Sequence, residues 1–314
     1  MSLITAPRAE GAIAVRGGRK LSFAEFGSPR GRPVVWLHGT PGGRRQIPQA
    51  ARVAAHKLDI RLIGIDRPGV GMSTPHLYDS ILDFTPDLEV VLDQLGLERV
   101  AMVGLSGGGP YALAAAHAFP ARVAAVGVLG GVLPTQGDDA VDGGPMGLLT
   151  RFSAVLPPLR IPITLALSAF VRLMTPVASQ AFDLYALISP EGDRRVLAQP
   201  EIKAMFLDDL IGNSRRGLGA PICDLILLTR PWGFSLTTIA VPVCWWHGDA
   251  DHIVPMTHAH QGVRLIPRVE LFIRPGESHL GGMVVAGEVL EKLALLWDGP
   301  AVRGPCCLGD PIAV

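Results

Sequence analysis

Three side-chain types that together can turn a serine hydroxyl on a carbonyl carbon occur in this chain. Ser106 sits in Gly104-Leu105-Ser106-Gly107-Gly108. Two aspartates follow in His247-Gly248-Asp249-Ala250-Asp251, and His279 closes Arg274-Pro275-Gly276-Glu277-Ser278-His279. A serine hydroxyl is a weak nucleophile near neutral pH. It needs a neutral imidazole to take its proton, and the imidazole needs a carboxylate to fix its tautomer and stabilise the cation that forms. The charge developing on the attacked oxygen needs two N–H donors. The backbone N–H of Gly107, directly after the serine, is one candidate. The glycine-rich run His38-Gly39-Thr40-Pro41-Gly42-Gly43 offers the other, with the Thr40 N–H as the expected donor.

Such groups act only when rigid elements hold them. The apolar, β-branched run Val100–Val103 predicts a buried parallel strand, and the alanine-rich segment after the glycines predicts a buried helix. A serine between them lies at the positive end of that helix, where a developing negative charge is favoured. Further strands are expected at 12–15, 21–26, 34–37, 60–65, 123–129, 241–246 and 269–273. Helices are expected at 49–58, 81–95, 256–265 and from about 282 to 296. This alternation predicts an α/β fold: a mostly parallel sheet covered by helices on both faces. Ligands of open parallel sheets bind beyond the carboxyl ends of the strands. Ser106, the aspartate pair and His279 each follow a predicted strand.

The strand rhythm stops between 133 and 238, where prolines interrupt apolar segments that read as short helices. The expected organisation is a core of residues 1–132 and 239–297, a helical cap inserted at 133–238, and a flexible Gly/Pro-rich tail at 298–314.

Composition narrows the classes. Of 314 residues, 48% are hydrophobic and 18% charged, and the mean hydropathy is +0.34. Lys plus Arg equals Asp plus Glu at 28 each, so no global field favours nucleic acid or an anionic membrane. The four cysteines, Cys223, Cys244, Cys306 and Cys307, have neither metal-site spacing nor the look of a disulfide framework. The apolar stretch 161–171 is far short of the roughly 20 residues of a spanning helix, and no signal peptide is recognised at the N-terminus. A soluble cytoplasmic protein with a small-molecule substrate is expected. Its oligomeric state is not legible.

His-Gly-x-Pro-Gly at 38–42, Asp-Arg-Pro-Gly-x-Gly-x-Ser at 66–73, Gly-x-Ser-x-Gly at 104–108, Gly-x-x-Asp at 248–251 and His279 together cover nearly the whole chain. With them the chain resembles a capped, serine-nucleophile member of the α/β-hydrolase superfamily. The SGGGPYALA run is similar to generic hydrolases and proline-iminopeptidase-like enzymes. The resemblance implies a triad of Ser106, Asp251 and His279, an oxyanion hole from Thr40 and Gly107, and no cofactor; no metal is expected, on the ligand spacing alone. The Gly-x-x-Asp spacing favours Asp251 over Asp249 as the acid. A serine at 106 argues against epoxide hydrolase and haloalkane dehalogenase chemistry, which use an aspartate there.

The leading expectation is hydrolysis of a small or medium apolar ester through an acyl-enzyme, as in carboxylesterases. Alternatives are a non-catalytic ligand-binding protein on the same fold, or a C–C bond hydrolase, aminopeptidase or perhydrolase. An aminopeptidase needs cap carboxylates, for which Glu191, Asp193, Glu201, Asp208, Asp209 and Asp224 are available. The aromatics Phe152, Phe170, Phe182, Tyr185, Phe206, Trp232 and Phe234 favour an apolar pocket. His38, His247 and His252 are expected to organise loops. Asp66 and Arg67 are expected to pair with each other. The cluster Asp249, Asp251, His252, His258 and His260 lacks a recognised metal-ligand spacing. Met72, Met146, Met174 and Met205 are expected in packing roles.

Overall fold

Eight strands form one sheet: β1 Ala9–Ala14, β2 Lys20–Gly27, β3 Arg32–Leu37, β4 Ile60–Ile65, β5 Val100–Leu105, β6 Val123–Leu129, β7 Val243–Gly248 and β8 Val269–Arg274. These are the strands of a computed structural model that describes residues 3–141, 144–151, 153, 156–214 and 219–298. Their order is β1-β2-β4-β3-β5-β6-β7-β8. β2 pairs antiparallel with β1 and β4, and every pair from β4 to β8 is parallel.

Alternation along the strands divides the core in two. In β5, Val100 and Met102 join one apolar cluster while Ala101, Val103 and Leu105 join the other. Successive strand residues point to opposite faces, so a strand buried on both sides must be apolar throughout. On the first face lie α2 (Thr85–Gln94), α3 (Gly109–Ala118) and α10 (Met256–Leu265); on the second lie α1 (Gln49–Lys57) and α12 (Ala286–Asp298). Each Val, Leu or Ile fully buried between these layers contributes about 1.5–3 kcal/mol.

Between β6 and β7 the described residues form helices and turns, with no strand: α4 Gly144–Arg151, α5 Leu156–Met174, α6 Ala178–Ile188, α7 Glu191–Leu197, α8 Pro200–Ser214 and α9 Gly219–Leu228. A short helix, α11 Gly281–Val284, precedes α12. No helix among the described residues is long and apolar enough to cross a membrane. The predicted tail beyond residue 298 lies outside the described residues, as do Cys306 and Cys307.

Some boundaries differ from expectation. The helix expected from residue 81 begins as a 3-10 turn, Leu82–Phe84, before α2. The strand expected at 241–246 starts two residues later, after Pro242, which has no N–H for a ladder. The single closing helix is two, separated at Val285: a short α11 that holds the weak helix formers Gly281 and Gly282, and then α12.

Candidate active site

The sheet's connections reverse direction between β3 and β5. From β3 the chain moves outward to β4, then returns to β5 on the other side. A crevice opens at such a switch point, beyond the carboxyl ends of the two strands. The loop after β3 carries Thr40, and the turn after β5 carries Ser106.

Ser106 adopts φ +50°, in the left-handed region that a side chain occupies at a cost of about 1–3 kcal/mol. The flanking strand and helix enforce this turn. At Gly104 a methyl group would lie 2.6 Å from the Gly108 carbonyl oxygen, so only glycine lets the chain double back so closely.

His279 Nε2 lies 2.9 Å from Ser106 Oγ, and His279 Nδ1 lies 2.8 Å from Asp251 Oδ2. With Nδ1–H donating to the carboxylate, Nε2 is left as an acceptor for the serine proton. Asp251 is fully buried. Its Oδ1 accepts from the N–H groups of Ile253 and Val254 at 2.9 and 2.8 Å, which fixes the carboxylate independently of the histidine. Burial pushes Asp251 up, but His279 beside it, the Val254 N–H and His247 outweigh burial and hold it below the usual carboxylate range. Asp249 is elsewhere: exposed, its Oδ1 accepts from Gly276 N–H at 2.7 Å.

The loop of Thr40 is held from three sides. Gln46 accepts from Gly39 N–H at 2.7 Å and donates to Pro41 O at 3.1 Å. His38 Nδ1–H bonds Gly39 O at 2.8 Å, and His38 Nε2 accepts from Arg67 N–H at 3.2 Å. Burial drives His38 well below the ordinary imidazole value, and Arg67 adds to this, so the ring is neutral. Arg67, completely buried, donates to the carbonyls of His38 and Gly39 and to Thr40 Oγ1. A methyl group on Gly107 would lie 3.6 Å from Thr40 N, so the two expected N–H donors are neighbours.

Arg67 does not pair with Asp66, contrary to expectation. Its partner is Asp224 of α9, bonded through Nε and Nη2, the latter at 2.6 Å. Asp66 instead accepts from Arg44 Nη1 at 2.7 Å and Ser22 Oγ at 2.6 Å. Consecutive residues leaving a strand point to opposite sides, which separates the two side chains. Asp224 also accepts from Tyr111 Oη and Thr40 Oγ1, each at 2.9 Å.

Ser106 and His279 open on a cavity of about 410 Å³. Thr40, Gln46, Leu280 and Met283 line it from the sheet side. Ala178, Ala181, Phe182 and Tyr185 of α6, with Phe206 and Leu207 of α8, line it from the inserted helices. Three of the aromatics expected at the pocket are there. Trp232 and Phe234 instead pack in or against the core on the side of α2 and α3, Phe170 is exposed, and Phe152 lies outside the described residues. Met205 is buried as expected, Met72 is exposed, contrary to expectation, and the side chains of Met146 and Met174 lie outside the described ones.

His247 and His258 are buried loop organisers: His247 bonds Val254 O and Trp245 Nε1, and His258 Nδ1 accepts from Leu133 N–H. His252 is exposed. Among the described residues no group of three or more His, Cys, Asp or Glu side chains could hold a metal ion. Nothing in the sequence assigns a role to Gln46 or Tyr111, or predicts the reach of α9 toward Arg67. For Tyr111 and for Asp224 of α9 the one visible signal is polarity inside an otherwise apolar segment; Gln46, beside Arg44 and Arg45, shows none.

A parallel sheet with this switch point, a strained serine after β5 and a histidine after β8 define a hydrolase of the α/β fold. The sequence agrees: the chain belongs to the alpha/beta hydrolase fold family, whose model matches residues 32–284. A probable proline iminopeptidase from Leptolyngbya boryana is 26% identical over 90% of this chain and 91% of its own. A non-heme haloperoxidase from Rhodococcus erythropolis is 27% identical over 85% of this chain and 92% of its own. A thermophilic esterase from Thermogutta terrifontis superposes with TM-score 0.67 at 21% identity, covering 92% of this chain and 99% of the esterase.

Proposed function

We propose that this chain is a carboxylesterase-like serine hydrolase acting on small or medium esters with an uncharged, apolar acyl group. The observation that carries the proposal is the chain of bonds from Ser106 through His279 to Asp251, facing a cavity with no acidic residue among those that line it. Residues 133–238 act as a cap, with α6 and α8 closing the acyl pocket.

Ser106 Oγ attacks the ester carbon as its proton passes to His279 Nε2. Asp251 stabilises the imidazolium through Nδ1–H. The Thr40 and Gly107 N–H groups take the charge on the former carbonyl oxygen. His279 then gives its proton to the departing alcohol. Water, deprotonated by the same imidazole, releases the acid and restores the serine.

An aminopeptidase is the reading favoured by the iminopeptidase relative. It needs a carboxylate facing the substrate's free amine. The six cap carboxylates considered for that role do not line the cavity. Asp193, Asp208 and Asp224 bond Ser278, Arg45 and Arg67 instead.

A fluorophosphonate probe applied to the wild type and Ser106→Ala tests the nucleophile. p-Nitrophenyl esters of rising chain length and prolyl p-nitroanilide, assayed in parallel, test the substrate class. The expected result is labelling and ester turnover that vanish in the variant. Preferential turnover of the anilide would replace the esterase reading, and failure of the folded wild type to label would remove the catalytic one.

A further inference from the structure

We propose that Asp193 of α7 is a positioning residue that sets His279 between its two partners. The proposal rests on His279 acting as the base for Ser106.

Asp193 is 2% exposed, and both of its oxygens are used. Oδ2 accepts from Ser278 Oγ at 3.1 Å, and Oδ1 accepts from Leu280 N–H at 2.7 Å. One carboxylate therefore grips the residue before His279 and the residue after it. Its neighbours press on the same loop. A methyl group on Gly192 would come within 2.7 Å of Ser278 N and 3.1 Å of Gly276 O, so the first turn of α7 sits directly on the loop backbone. Arg195 Nη2 donates to Gly276 O at 2.9 Å.

From below, the loop is tied at its start. Gly276 N–H donates to Asp249, and Glu277 O accepts from Ala250 N–H at 3.0 Å. Those bonds stop short of the histidine. Within the loop one backbone turn, Gly281 N–H to Ser278 O at 3.1 Å, spans it; the side-chain clamp that spans it comes from α7, a helix inserted between β6 and β7. His279 must keep 2.9 Å to Ser106 and 2.8 Å to Asp251 at once, and a misplacement of about 1 Å can cost about 10²-fold in rate. Asp193 itself lines no part of the cavity, and of the two residues it grips only Leu280 does, so the larger effect falls on turnover.

The test compares Asp193→Ala and Asp193→Asn, with kcat expressed per folded chain, the folded fraction checked by circular dichroism. Asparagine can still accept from Leu280 N–H and can donate to the Ser278 hydroxyl, so it preserves both bonds. The alanine variant is expected to lose about 10–100-fold in kcat with KM within about twofold, and the asparagine variant to stay within about threefold of wild type. Unchanged kcat per folded chain in Asp193→Ala, a loss confined to KM, or equal losses in both variants would overturn the proposal. Should the alanine variant not fold, Ser278→Ala removes one of the two bonds; a several-fold loss in kcat at constant KM supports the clamp, and an unchanged kcat overturns it. His279→Ala serves as the reference. Near-normal turnover there would defeat the underlying catalytic reading, an outcome distinct from failure of the clamp.

Discussion

Thr40 and Asp224 are 184 positions apart, yet the Thr40 hydroxyl donates to Asp224 Oδ2 across 2.9 Å. The same carboxylate holds Arg67, which holds the carbonyls of His38 and Gly39. One acidic side chain on α9 therefore braces the loop proposed to supply an oxyanion donor. Asp224→Ala would leave the Arg67 guanidinium buried without its charge partner. The expected cost is about 3–5 kcal/mol in stability, read by urea unfolding. Whatever fraction folds should show reduced kcat, because Thr40 loses one of its anchors.

The two candidate acids make opposite predictions. Asp251→Asn is expected to lower kcat by about 10³–10⁴-fold, because the imidazole loses its charge partner and its tautomer is no longer fixed. Asp249→Asn keeps an acceptor for Gly276 N–H and should change ester turnover by less than about threefold. Comparable losses in both would mean that Asp249 acts on the reaction as well.

Strain at Ser106 has a measurable signature. Alanine retains the unfavourable φ of +50°, whereas glycine adopts it freely. Ser106→Gly and Ser106→Ala should both be inactive, with the glycine variant the more stable by about 1 kcal/mol in denaturant unfolding. Equal stability would mean that the turn carries no net strain.

Acid should destabilise the fold in a defined window. An unfolded histidine takes up its proton near pH 6.5, whereas burial pushes His258 down to about 4. Between these values the unfolded chain binds a proton that the folded chain does not. The contribution of His258 is thus complete above about pH 6.5 and is lost as pH falls toward 4. Burial lowers His38 and His247 in the same direction. Unfolding free energies measured at pH 7 and pH 5 should fall, and His258→Gln, which keeps an acceptor for Leu133 N–H, should fall less.

Pocket size should follow α6. Ala181 lines the cavity, and Ala181→Phe would fill part of its 410 Å³. The optimum among p-nitrophenyl esters should move to shorter acyl chains, with kcat/KM for acetate the least affected. An unshifted optimum would place the acyl group in another part of the cavity.

Much of this architecture is written locally. β5 and α3 follow from an apolar run, a glycine turn and an alanine-rich helix, each visible within a few residues. That Ser106 and His279 share one edge is legible for a similar reason: each follows a strand, and the carboxyl ends of a parallel sheet all lie on one side. Arg67 illustrates the limit. Its neighbour Asp66 is adjacent in sequence but leaves the strand on the other side, while its real partner lies on a helix 157 positions away. Asp193 was equally hidden, because nothing in Glu191-Gly192-Asp193 announces that both carboxylate oxygens meet the histidine loop. Such long-range polar pairs are decided by packing of helices whose own sequence pattern says only that they are apolar. The same holds for Trp232 and Phe234, whose aromatic character is compatible with a pocket wall or with the core that they occupy.

Two buried carboxylates of the helical segment between β6 and β7, Asp193 and Asp224, reach loops that belong to the sheet. The segment is therefore not an exchangeable module. A chimaera that grafted the corresponding helices of a relative onto this sheet would need acidic residues at both places. Without them it would strand a buried guanidinium under the Thr40 loop and release the loop of His279. Engineering of substrate range is better confined to the cavity-facing side of α6 and α8, where Ala181, Phe182 and Phe206 can change without touching either anchor.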